Sequence, residues 1–154
     1  MSIIEIGCMG VKPDHHVMDV MSAQGQILNK AWSAVVAADG GPRWAYAGVE
    51  ILDPLRPWGF FAFDSVAQHE TFAESFGGEA VKDLPKILSY PVVQKHVSIE
   101  PESEPLDAVL SAGMTHVLLA YFPSQISSKE SDAVTQLVRQ ESARHDEQIL
   151  VSYG

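Results

Sequence analysis

Trp58-Gly59-Phe60-Phe61-Ala62-Phe63-Asp64-Ser65-Val66-Ala67-Gln68-His69-Glu70-Thr71-Phe72 is the stretch whose reading decides the fold. Trp58 to Phe63 is an uncharged, aromatic run with strand composition, and Pro57 stands just before it. Asp64 or Ser65 then caps a helix, because Ser65 and Gln68 have capping-box spacing. Along that helix Val66, His69, Phe72, Ala73 and Phe76 fall within about 120° of arc at about 100° per residue. His69 lies near the middle of this apolar arc and is expected to point inward.

Working outward, Ile3 to Val11 reads as a first strand ended by Lys12-Pro13-Asp14. A helix is expected from about Met18 to Asp39, with Ile27, Leu28, Ala31, Trp32, Val35 and Val36 on its apolar stripe and Gly40-Gly41-Pro42 stopping it. Arg43 to Leu52 is a second strand, and Asp53-Pro54 turns the chain toward the aromatic strand. The helix after Ser65 is expected to end at Gly77-Gly78. A second helical piece, Glu79 to Leu88, is then kinked by Pro85, and a strand runs from Val92 to Ile99. The order β-α-β-β-α-β is that of the ferredoxin-like unit, an α+β fold.

The polar, proline-bounded link Glu100 to Pro105 is the best boundary in the chain. It suggests a domain over residues 1–101, a linker over 102–114 and a partial second βαβ repeat over 115–154. In that repeat a strand is expected at Thr115 to Phe122, a helix capped by Ser128 from about Ser127 to Arg144, and a strand-like end at Gln148 to Tyr153.

Twenty acidic residues against ten basic ones give a formal charge of -10, and the basic residues form no run. That field repels phosphate backbones and anionic lipid, so neither nucleic acid nor membrane is expected as a partner. No stretch approaches the roughly 20 apolar residues of a membrane span, and the N-terminus lacks a signal-peptide pattern. A cytoplasmic protein is expected. The single cysteine, Cys8, excludes an internal disulfide and a cysteine-rich zinc site, and its apolar surroundings suit a buried, inert thiol. No G-x-S-x-G elbow, phosphate loop or H-E-x-x-H spacing occurs, so neither a metal nor a cofactor is expected.

The segment Trp58 to Phe72, with its aromatic strand followed by D-S-x-x-x-H-x-x-F, resembles antibiotic-biosynthesis-monooxygenase and stress-responsive α/β-barrel proteins. Gly41-Pro42-Arg43 before Tyr46 and Gly48, then Glu50 and Asp53-Pro54, is similar to a fungal branch of that group, as is Lys95-His96-Val97 to Pro101. The resemblance implies a dimeric α/β barrel, in which two four-stranded sheets face each other, usually from two subunits. It also implies a ligand space between a sheet and its own helices. In haem-binding members a histidine on this helix can ligate iron, but the usual second histidine is absent here, where Thr71 to Ser75 stands.

Several residues are candidates for chemistry. If Ile4, Ile6, Val49, Ile51, Phe61, Phe63, Val97 and Ile99 face the helices, then Glu5, Trp44, Tyr46, Glu50, Trp58, Phe60, Gln94, His96 and Ser98 share the opposite face. That face holds enough carboxylate, imidazole and aromatic surface for acid/base work, and equally suits a barrel interior or dimer interface. The expected general acid/base is His69, a histidine otherwise held structurally by a backbone carbonyl, with His96, Tyr46 and Glu50 as secondary candidates. Trp32, Trp44, Trp58, Phe60, Phe72, Phe76 and His16 are expected around the ligand. His15-His16 reads as a solvated loop or, in a functional role, a lid. The function expected is a cofactor-independent cyclase or isomerase of natural-product metabolism, a homodimer acting on an apolar small molecule. The alternatives are an antibiotic-biosynthesis-type monooxygenase and a non-catalytic, stress-response ligand-binding barrel.

Overall fold

Ile3–Val11 (β1) is the central strand of an antiparallel sheet, hydrogen-bonded on one side to Pro57–Phe63 (β3) and on the other to Leu88–Glu100 (β4). Ala45–Val49 (β2) pairs with the free side of β3, giving the order β2-β3-β1-β4. Two helices, Ala23–Ala37 (α1) and Val66–Val81 (α2), supply the crossovers and complete the ferredoxin-like arrangement expected from the element order. These features come from a computed structural model that describes residues 3–100, 106–119, 121, 125–144 and 151–153. The chain divides into two compact units, Met1–Ile99 and Glu100–Tyr153.

The helices lie against one sheet face. Trp32 of α1 meets Phe61 at 5.1 Å between ring centroids, and Phe63 meets Phe72 of α2 at 5.9 Å. Phe63 is only 1% exposed and anchors this interface. At the end of β1, Val11, Val17, Ile87 and Leu88 form a buried cluster joined by Ile27, Leu28 and Met9. Cys8 is fully buried, and burial pushes its thiol pKa up, with the Glu50 carboxylate adding to the shift. A protonated, inaccessible thiol is a poor nucleophile.

Three boundaries differ from expectation, each for a local reason. Helix α1 starts at Ala23 rather than near Met18, because Asp19 and Ser22 capture backbone groups that a helix would need. Asp19 accepts from the Met21 N–H, and the Ser22 hydroxyl oxygen caps Gly25 N–H at 2.8 Å while donating to the loop carbonyls. Helix α2 runs through Gly77-Gly78, since neither glycine takes the left-handed conformation that makes a glycine stop; Gly40 alone among the described glycines does so. What ends α2 is Pro85, whose ring would strike the carbonyl of Val81, the last helical residue, and which instead sits in a 3₁₀ turn at Leu84–Lys86. Strand β4 begins at Leu88, ahead of Pro91. It tolerates the proline because the pairing of β1 and β4 shifts register around Met9 and Pro91.

An exposed glycine inside a helix weakens it unless something needs the space. Nothing lies within 4 Å of a Cβ placed on Gly78. Gly78→Ala is therefore expected to stabilise the fold by about 0.5–1 kcal/mol, read as a higher urea midpoint with unchanged slope.

The second unit contains Leu106–Leu110 (α3), Ser128–Arg144 (α4) and Val151–Tyr153 (β5). Helix α4 is capped by Ser127 rather than Ser128. The Glu130 carboxylate accepts from both the Ser127 N–H and its hydroxyl, and these bonds hold its carboxyl below the usual pKa. The expected strand at Thr115 to Phe122 does not form at Thr115–Leu119 or Tyr121. Apolar residues can favour an extended chain, but a strand exists only where a neighbour completes its backbone hydrogen bonds. Thr115 instead closes the turn after α3 through its hydroxyl on the Val109 carbonyl, at 2.8 Å. Part of the expected last strand, 148–150, lies outside the described residues, as do the His145 side chain and the 101–105 link.

Candidate active site

The pairing register decides which side chains share the helix-facing side of the sheet. Glu5 sits opposite Phe61 on one neighbour and His96 on the other, so all three project to the same face. Phe61 meets Trp32 of α1 on that face, and Phe63, two residues on, meets α2. This corrects the expected division. Glu5, Gln94 and His96 face the helices, whereas Ile4, Ile6 and Val97 pair with Ala62, Phe60 and one another on the other side. Ile51 is outside the strands and 76% exposed.

His69 reaches Glu5 from the second turn of α2. The start of that helix is pinned by the expected Ser65–Gln68 pair: Gln68 N–H donates to Ser65 Oγ at 3.1 Å, and the Gln68 side chain accepts from Asp64 N–H at 2.7 Å. The Gln68 amide also donates to the Gly40 carbonyl at 2.9 Å, tying the helix start to the turn after α1. From this anchored turn His69 Nε2 stands 3.0 Å from Glu5 Oε2, each side chain being 15% exposed. His69 Nδ1 stands 2.9 Å from Nε2 of His96, and the two rings meet edge to face. Gln94 donates to Glu5 Oε1 at 3.2 Å, and the Phe63 ring lies 4.7 Å from the His69 ring.

Glu5, His69 and His96 thus form a continuous line of hydrogen bonds assembled from β1, α2 and β4. An ionised Glu5 accepts, so His69 carries its proton on Nε2 and presents the Nδ1 lone pair. His96 then donates from Nε2, which leaves the lone pair of its Nδ1 at the outer end. No described residue hydrogen-bonds to His96 Nδ1. The arrangement can take up a proton at one end and stabilise the resulting positive charge with a carboxylate at the other.

The remaining expected site residues are distributed elsewhere. Tyr46 and Trp44 are neighbours at 5.7 Å, and Trp58 stacks near Phe60 at 6.4 Å, all on the sheet side away from Glu5. Glu50 accepts the Trp58 indole N–H at 3.1 Å, which places it with this aromatic group and apart from both histidines. Trp32, Phe72 and Phe76 lie on the helices, Phe72 and Phe76 stacked at 5.0 Å. His16 is exposed in the loop before α1. A groove of about 450 Å³ opens between Asp39-Gly40 and α2, with Phe72 on its wall, but none of the three residues of the line borders it.

Sequence reasoning missed Glu5 as the partner of His69. Its one signal is that Glu5 is the sole charged residue in the apolar run Ile3 to Val11. A carboxylate held there needs a hydrogen-bonding partner.

No protein-family model and no curated protein matches the chain. A solved structure from Bordetella bronchiseptica, assigned as an antibiotic biosynthesis monooxygenase, is similar at 20% identity with a TM-score of 0.50. The match covers 62% of this chain and 93% of that one. The first unit shares the ferredoxin-like fold of that structure. A second structure of that assignment, from Chloroflexus aurantiacus, matches at 17% identity and a TM-score of 0.44, covering 62% of this chain and 90% of the other. The Glu5–His69–His96 line lies between the sheet and α2 of this unit. No helix among the described residues is long and apolar enough to cross a membrane.

Proposed function

We propose that this chain is an enzyme acting on an apolar, oxygenated small molecule, with proton transfer run by Glu5, His69 and His96. The observation that carries the reading is the pair of hydrogen bonds, 3.0 and 2.9 Å, linking a carboxylate through one imidazole to another. His96 Nδ1 is the base: it removes a proton from an acidic C–H or O–H of the substrate. The imidazolium so formed can pass its Nε2 proton to His69 Nδ1, which moves the positive charge beside Glu5. The reverse shift returns a proton to a different substrate atom, giving isomerisation, or to the product of a ring closure. His69 is then the middle of the relay rather than its working end, while Tyr46 and Glu50 stay outside it. A homodimer closing the barrel, and a cytoplasmic setting, belong to the same reading.

A second reading is oxygenation, favoured by the assignment of the Bordetella bronchiseptica structure as a monooxygenase. It begins with the same step, since removing a proton makes the substrate anion that reacts with dioxygen. One experiment tests both. The protein is incubated in D₂O with a panel of phenols and β-dicarbonyl compounds, with and without oxygen, and followed by mass spectrometry. The expected result is deuterium exchange or turnover by wild type that His96→Ala abolishes, with oxygen uptake selecting the second reading. Equal activity of His96→Ala and wild type would overturn the assignment.

A further inference from the structure

Glu5, His69 and His96 also have the composition of a metal site. Each offers a ligand atom, and the three atoms lie within 4.8 Å of one another. We propose that this cluster binds one divalent transition-metal ion, held by a ring nitrogen from each histidine and a Glu5 carboxylate oxygen.

The distances support it. Two ligands at about 2.0–2.1 Å from an ion, and at right angles, stand about 2.9 Å apart. Glu5 Oε2 stands 3.0 Å from His69 Nε2, whereas His96 Nε2 stands 2.9 Å from Nδ1, the other nitrogen of the same ring. One nitrogen of His69 serves one ion, so a rotation that turns that nitrogen toward both neighbours is needed to gather the three donors, already within 4.8 Å of one another, around it. Two imidazoles and a carboxylate suit Zn²⁺, Fe²⁺, Co²⁺ or Ni²⁺; Ca²⁺ and Mg²⁺ prefer all-oxygen sites, and Cu⁺ prefers sulfur. Three protein ligands leave a position for water or substrate.

The surroundings fit as well. Gln94 donates to Glu5 Oε1 and leaves Oε2 toward the histidines, the kind of outer hydrogen bond that orients a ligating carboxylate. Phe63 walls one side of the His69 ring. The Lys and Arg ion pairs of the described residues go to Asp53, Asp64, Glu79 and Asp83, so none of them neutralises Glu5.

Metal and relay are alternative occupants, because a ligating nitrogen has no lone pair left for a proton. The metal inference does not rest on the proton-transfer reading, and a bound ion would block that relay.

The test is calorimetric titration of the metal-stripped full chain with Zn²⁺, alongside Co²⁺ followed by absorption and by paramagnetic shifts in NMR spectra. The expected result is one ion per chain, lost in His69→Ala and in His96→Ala, weakened in Glu5→Gln and retained in the His15→Ala/His16→Ala double variant. Co²⁺ should shift the ring resonances of His69 and His96 in the wild type, a readout that stands even where a variant fails to fold. Absence of binding, binding that survives both single histidine variants, or Co²⁺ shifts confined to other histidines would overturn the site. Turnover by the metal-stripped protein is read separately, so either proposal can fail without the other.

Discussion

Glu5→Gln is expected to lower turnover by roughly 10²–10⁴-fold while leaving the fold intact. The reason is directional. Gln94 donates to Glu5 Oε1, so a glutamine at position 5 places its carbonyl oxygen there and turns its NH₂ toward His69 Nε2. His69 Nε2 must then accept, and its proton moves to Nδ1. That N–H points at His96 Nε2, which becomes the acceptor, and the remaining proton of His96 lies on Nδ1, where the substrate needs a lone pair. One amide thus reverses the whole line without changing its shape. The loss should fall on kcat rather than KM, and imidazole ¹⁵N shifts should report the exchanged tautomers. Wild-type kcat with unchanged tautomers would show that Glu5 does not orient the relay.

Gly25→Ala is expected to destabilise the protein by about 3 kcal/mol or more, although the same change elsewhere in a helix usually stabilises it. A Cβ on Gly25 would stand 1.9 Å from the Asp19 carbonyl oxygen and 2.6 Å from its carbon. Both are backbone atoms, so no side-chain rotation relieves the clash. Asp19 O is itself held by the N–H and the hydroxyl of Ser22, the residue that caps α1. Moving it disturbs the helix start and the loop that buries Val17 at 4% exposure. At about 4–8 °C per kcal/mol for a unit of this size, the melting temperature should drop by more than 10 °C. A melting temperature within a degree or two of wild type would show that the 16–22 turn shifts freely.

Much of this architecture is legible in the residues because it is local. The Ser65–Gln68 spacing marks the start of α2, and the apolar arc around His69 orients that residue inward, since both depend on neighbours within one or two helical turns. Helix stops were read less well. Gly77-Gly78 has the composition of a stop, yet a glycine stops a helix only when it takes the left-handed conformation, and here Pro85 sets the limit first. The strand expected at Thr115 to Phe122 shows the same weakness, since a strand requires a partner that its own residues cannot provide.

By itself the sequence determined the order of the ferredoxin-like elements, the capped start of α2 and the inward direction of His69, all consequences of short-range periodicity and capping. It also established that each strand has two faces. Only the tertiary structure decided which faces go together, because alternation within a strand says nothing of its phase relative to its neighbours. The register of β1 against β3 and β4 set Glu5 between Phe61 and His96 and turned it toward α2. That pairing, made across 91 positions between Glu5 and His96, joins three scattered residues into one site.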